Sequence, residues 1–120
     1  MMRGVADGGA DGFSSWATQL RKGIVELMIL QLVDGRKLYG YAIVRELKER
    51  GELVAGEGTV YPVLRRLETD GLVSAIWSDQ GPAGPRKYYS ITPGGRAFLE
   101  RAWTEWDGIA RALEDVRGDR

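Results

Sequence analysis

Among its 120 residues the chain has no cysteine and no histidine. Without thiols there is no disulfide framework, no thiolate nucleophile and no Cys-ligated zinc. Without imidazole there is no His metal site, and the commonest proton shuttle at neutral pH is missing. Catalysis would rest on carboxylates alone, with Glu57, Glu68 and Asp70 as candidates. Nothing pairs these with a positioned nucleophile, and Glu68 and Asp70, two apart on a helix, point to different faces. Neither an enzyme nor a cofactor is expected.

Net charge is also missing. Lys and Arg number 17 and Asp and Glu number 17, which argues against a polycation binding nucleic acid or anionic lipid through bulk charge. No apolar run approaches the ~20 residues of a membrane span. The longest, residues 24–33, is interrupted by Glu26 and Gln31. One Arg before Gly- and Asp-rich sequence is not a secretory signal, so a cytoplasmic location and no membrane partner are expected. The chain is 43% hydrophobic and 28% charged, as a single globular domain of this length would be.

Three segments follow from composition and period. Residues 1–14, rich in Gly and Asp, read as a flexible arm, and Asp7 and Asp11 speak against its touching DNA. From Ser15 the apolar spacing is helical. Leu20, Ile24, Leu27, Met28, Ile29 and Leu30 occupy more than one face, so this helix should be largely buried. A second helix runs from about Tyr39 to Arg50 and ends at Gly51. A third runs from Thr59 to about Asp70, with Pro62 in its first turn. The period then changes to two, giving strands over 72–77 and 87–92 around a Gly/Pro loop. Thr92 and Pro93 open a last helix. Three helices, a hairpin and a helix make a mainly α (α+β) winged helix-turn-helix over 15–92 with an extra C-terminal helix over 93–117.

Three constellations bear on function. The third helix of such a motif enters the major groove with its N-terminal side chains on the bases. Thr59 and Tyr61 sit there, while Arg65 and Arg66 are spaced to reach phosphate or guanine. Residues 58–96 hold five basic groups against three acidic ones, and 97–120 four against six, so charge is segregated although its sum vanishes; an ordinary solvated face is the alternative. At the hairpin, Arg86 and Lys87 suit the phosphate backbone, while one of Tyr88 and Tyr89 must point inward. On the last helix, Leu99, Ala102, Trp106, Ile109, Leu113 and Val116 recur at 3-4-3-4-3, the seam of a coiled coil, for which a second copy is the natural partner. Trp103 and Trp106 lie on neighbouring positions of one face. They either fill a dimer core or offer a flat platform to a planar or cationic small molecule. Trp77 is expected to pack within the hairpin, and Trp16 to cover the core or the dimer interface.

Gly40-Tyr41-Ala42-Ile43, the run 58–68 (GTVYPVLRRLE), Gly71-Leu72-Val73, the run 84–89 (GPRKYY) and Thr92-Pro93-Gly94-Gly95 resemble the PadR family of bacterial transcriptional regulators. The resemblance covers about residues 20–117, and the single helix after the wing is similar to the short subfamily that includes multidrug-binding repressors. It implies a homodimeric, sequence-specific DNA-binding regulator, a ligand-responsive repressor on a pseudo-palindromic operator, which in the family commonly governs its own gene and a neighbouring transporter or detoxification gene. It implies DNA contacts at Tyr41, Thr59, Tyr61, Pro62, Arg65, Arg66, Arg86 and Lys87. It also implies a ligand pore between subunits, with Trp106 and Trp103 of the last helix and Val25, Glu26 and Ile29 of the first. The competing reading is a winged-helix interaction module that does not bind DNA.

Overall fold

The computed structural model describes residues 8–51, 57–79, 81, 82 and 84–119. Helix α1 (Gly8–Leu32) is followed by a short strand β1 (Leu38–Tyr39), α2 (Gly40–Glu49), α3 (Glu57–Thr69), the strands β2 (Val73–Ser78) and β3 (Arg86–Ile91), and α4 (Pro93–Gly118). Among the described residues no helix is long and apolar enough to cross a membrane.

The core is drawn from all four helices and the sheet. Val25, Ile29, Leu30 and Val33 of α1 meet Ile43, Val44 and Leu47 of α2 and Val60, Leu64 and Leu67 of α3, with Val73, Tyr89 and Leu99 closing the far side. Each of the first three helices contributes residues three and four apart, the one-face spacing that its sequence carries. Strand alternation sends Tyr89 inward and leaves Tyr88 only partly covered.

The three strands are antiparallel in the order β1-β3-β2. Val73 faces Ile91, Ala75 faces Tyr89 and Trp77 faces Lys87 across β2 and β3. On the other edge Leu38 faces Tyr89 and Tyr39 faces Tyr88. β1 was not expected, because two residues are too few to show a period.

Punctuation follows the sequence. Gly71, at φ +77°, ends α3 in a Schellman motif: its N–H donates to the Glu68 carbonyl and that of Leu72 to the Leu67 carbonyl. Thr92 caps α4, its Oγ1 accepting from the Gly95 N–H at 2.9 Å and donating to the Gly71 carbonyl at 2.7 Å. Gly95 is buried so closely against the Leu72 carbonyl oxygen that a Cβ there would overlap it.

Three expectations change. Helix α1 begins at Gly8 rather than Ser15, so residues 8–14 of the expected arm are helical; the Phe13 and Trp16 rings, one turn apart with centroids at 5.7 Å, form an apolar pair that supports these turns. Residues 1–7 lie outside the described ones. Burial of α1 holds for its C-terminal half, whereas Trp16 and Leu20 stay about half exposed. Helix α3 begins at Glu57, which moves Pro62 from the first turn to the helix interior, where its ring removes the donor that would serve the carbonyl of Gly58.

Candidate nucleic-acid interface

Helices α2 and α3 form the two-helix unit, and their N-termini lie side by side. Burying Val60, Leu64 and Leu67 on one face of α3 turns Thr59, Pro62, Arg65 and Arg66 outward. Tyr61 is intermediate: half-buried at the rim of the core, its ring lies where a Cβ on Gly40 would be. Only glycine at the start of α2 admits that ring. Tyr41 follows Gly40 outward, half exposed, with the Arg45 guanidinium 5.9 Å from its centroid.

The five basic groups counted over 58–96 are not equivalent. Arg66 forms an ion pair with Glu26 of α1. Arg96 bonds Asp34 at 3.1 Å. Lys87 Nζ lies 3.1 Å from Glu68 Oε1, and the Arg86 guanidinium stacks 4.1 Å above the Tyr39 ring. Among the described residues Arg65 alone of the five has no ion pair or ring contact, and it is exposed. The hydrogen bond to Glu68 holds the Lys87 ammonium above the ordinary lysine value of 10.5, against a smaller opposing push from burial.

Between the wing and the N-termini of α2 and α3 lies an open cleft of about 350 Å³. Tyr41 and Tyr61 line it from the helices and Trp77, Pro85 and Arg86 from the wing, with Tyr39 and Tyr89 also lining it. Trp77 does not pack within the hairpin as expected; it is 67% exposed. The β2 face that carries Val73 and Ala75 runs past the last helix able to cover it before reaching Trp77. Trp77, Tyr39 and Glu68 are the lining and tethering residues that motif reading did not assign.

The expected seam of α4 divides in two. Leu99 is only 3% exposed and belongs to the chain's own core, so it is not part of a free stripe. Ala102 is half-buried, while Trp106, Ile109, Leu113 and Val116 stand exposed in a row, Val116 at 68%. Trp103 is anchored differently: its Nε1 donates to Oε1 of Gln31 on α1 at 2.7 Å. Of the pore residues expected on α1, Ile29 is wholly buried and Val25 nearly so, because both sit on the helix face turned to α2 and α3. Ile29 thus presents no surface to a ligand in the single chain. Val25 reaches only the floor of an open cavity of about 500 Å³ between α1 and the start of α3, rimmed by Arg21, Lys22 and Arg66. Glu26 is engaged by Arg66.

Comparison with known proteins agrees with this architecture. The sequence model of the transcriptional regulator PadR-like family matches residues 29–101, from the buried end of α1 through the wing to the first turns of α4. The chain is 36% identical over 96 residues to the transcriptional regulator Rv3488 of Mycobacterium tuberculosis, covering 79% of this chain and 87% of that one. The crystal structure of a PadR family transcriptional regulator from Eggerthella lenta superimposes with a TM-score of 0.76 at 32% identity, over 87% of this chain and 90% of that one. A PadR family transcription regulator from Clostridium difficile R20291 gives 0.70 at 34% identity, over 76% and 95%. Helix pair, wing and trailing helix are therefore shared in sequence and in space, and the chain belongs to the PadR-like family of DNA-binding transcriptional regulators.

Proposed function

We propose that the protein is a repressor that binds a pseudo-palindromic operator as a homodimer and whose affinity for it responds to a small molecule. The observation that carries this reading is the outward face at the start of α3. Thr59 is exposed there, on the end of the helix that meets base edges in such motifs, and Arg65, further along α3, is exposed with no ion pair among the described residues. The wing stands beside it, with Arg86 and Lys87 where its second strand leaves the Gly/Pro loop. The protein thus acts by binding rather than by catalysis, in the cytoplasm of a bacterial cell.

The dimer reading is supported by the row Trp106, Ile109, Leu113 and Val116, which a lone helix cannot bury by itself. Two-fold pairing of α4 sets two copies of α3 against successive half-sites, about 34–36 Å apart in proteins of this architecture. The indoles of Trp103 and Trp106 lie near the proposed dyad and suit a planar aromatic ligand. Such a ligand would shift DNA affinity by its preference for one dimer geometry, typically ~1–3 kcal/mol.

The test is to titrate the purified protein onto the promoter fragment upstream of its own gene, beside a scrambled duplex of equal length at physiological salt. A preference of about 10³ for the promoter is expected, a lower margin of specific over non-specific binding. Absence of binding to either duplex, even at low salt, would favour the interaction module instead.

A further inference from the structure

Trp77 is the largest side chain on the wing, and two-thirds of it is in water. Its direction is fixed by register. Val73 opposite Ile91, Ala75 opposite Tyr89 and Trp77 opposite Lys87 place all six on one face of the hairpin. That face is covered at Val73, partly covered at Ala75 and open at Trp77. The indole therefore projects into the cleft between wing and helices, across from Tyr41 and Tyr61.

Five of the nine residues that line the cleft are aromatic. Of its two cations, Lys87 is tethered to Glu68 and Arg86 lies on the Tyr39 ring. One wall carries Tyr61 of the reading helix itself, which makes the cleft continuous with the DNA-facing end of α3. A strand flanking a groove entered by α3 would pass along this cleft, which Tyr61 of α3 and Trp77 of the wing both line. Its deoxyribose C–H faces are apolar and fit an indole, and its phosphate oxygens accept from an indole N–H.

We infer that this cleft seats the sugar–phosphate backbone of one DNA strand, with Trp77 stacking on deoxyribose and donating its Nε1–H to a phosphate oxygen. The inference rests on the regulator reading and adds a contact that fixes where the wing lies on the duplex without reading sequence. Because the contact is not an ion pair, it contributes to affinity without adding to counterion release.

The test compares the full-length wild-type protein, Trp77→Phe and Trp77→Ala on the promoter duplex over a range of salt. Trp77→Ala is expected to bind about tenfold more weakly, at the low end of what loss of an aromatic stacked on a base costs. Its slope of log affinity against log salt should be unchanged. Trp77→Phe keeps the stacking but not the donor, and should fall between the two. Indole emission should change on saturating the wild type with duplex, and that change should shrink in Trp77→Phe. Thermal unfolding of all three should coincide, since the residue is exposed. Wild-type affinity in Trp77→Ala, or an emission change equal in wild type and Trp77→Phe, overturns the inference while leaving the regulator reading intact. A shallower salt slope in Trp77→Ala also overturns it, because that marks a wing whose cations have been displaced. A wild-type protein that binds no duplex removes both readings.

Discussion

Lys87 Nζ and Glu68 Oε1 lie 3.1 Å apart, which latches the wing to the last turns of α3 and holds one wing cation away from solvent anions. Glu68→Gln should release that ammonium for a phosphate. DNA affinity at low salt is expected to rise, and the salt slope to steepen by about one, the increment of one added phosphate contact. The sign with pH follows from the raised Lys87 value. The Lys87 ammonium is fully charged below 10.5, and its contribution is lost as pH climbs through the higher folded-state value. With no histidine in the chain, the difference between variant and wild type should stay flat from about pH 6 to 9. An equal slope in the two proteins would show that Lys87 remains tied down without its carboxylate partner.

Arg65 and Arg66 are neighbours in sequence and part ways in space. Arg65→Ala is expected to weaken binding to every duplex and to lower the salt slope by about one. Arg66→Ala should leave the slope alone, because its guanidinium is engaged by Glu26. Measuring both slopes by anisotropy separates the roles; matching losses would mean that Arg66 exchanges Glu26 for phosphate on binding.

The junction of wing and α4 is sterically closed. Gly95→Ala drives a methyl into the Leu72 carbonyl oxygen, a backbone atom that cannot swing aside, and should cost about 2–3 kcal/mol in denaturant unfolding. Thr92→Ala removes the cap on the Gly95 N–H and should cost about 1 kcal/mol. Two variants equal in stability to wild type would mean that this junction relaxes freely.

Leu99 and Leu113 separate folding from association. Leu99→Ala should lose about 2–5 kcal/mol as a core truncation without a direct effect on subunit pairing. Leu113→Glu places a charge on the exposed stripe and should convert a dimer to monomer in light scattering, with the single chain's fold kept. A wild-type monomer would remove the association reading altogether.

Much of this was written in the chain. The inner residues of α2 and α3 announce themselves by helical spacing, and Asp79 to Pro85 by its glycines and prolines. Thr92 and Pro93 mark the start of α4 to the residue. What escaped depends on partners distant in sequence. β1 is two residues long and exists only because β3 lies beside it. Arg66 looks as outward as Arg65 until α1 is placed across from it. Leu99 fits the seam spacing as well as Trp106 does, yet the first belongs to the core and the second to the surface, because only the root of α4 crosses α1. Trp77 follows the period of a buried strand face, and no local pattern says where the covering helices stop.

Helix α4 has 26 residues, about 39 Å at the usual rise per residue, within a molecule whose longest extent is 55 Å. It is fastened near one end by Gly95, Leu99 and the Trp103–Gln31 hydrogen bond, and the remainder projects past its fulcrum. The 15 residues past Trp103 make an arm of about 22 Å, on which a tilt of about 5° carries the tip ~2 Å. The Trp103–Gln31 hydrogen bond thus lies at the root of that arm, where a small change of angle would be read out at the tip as a shift more than half the rise of one DNA base pair, about 3.4 Å.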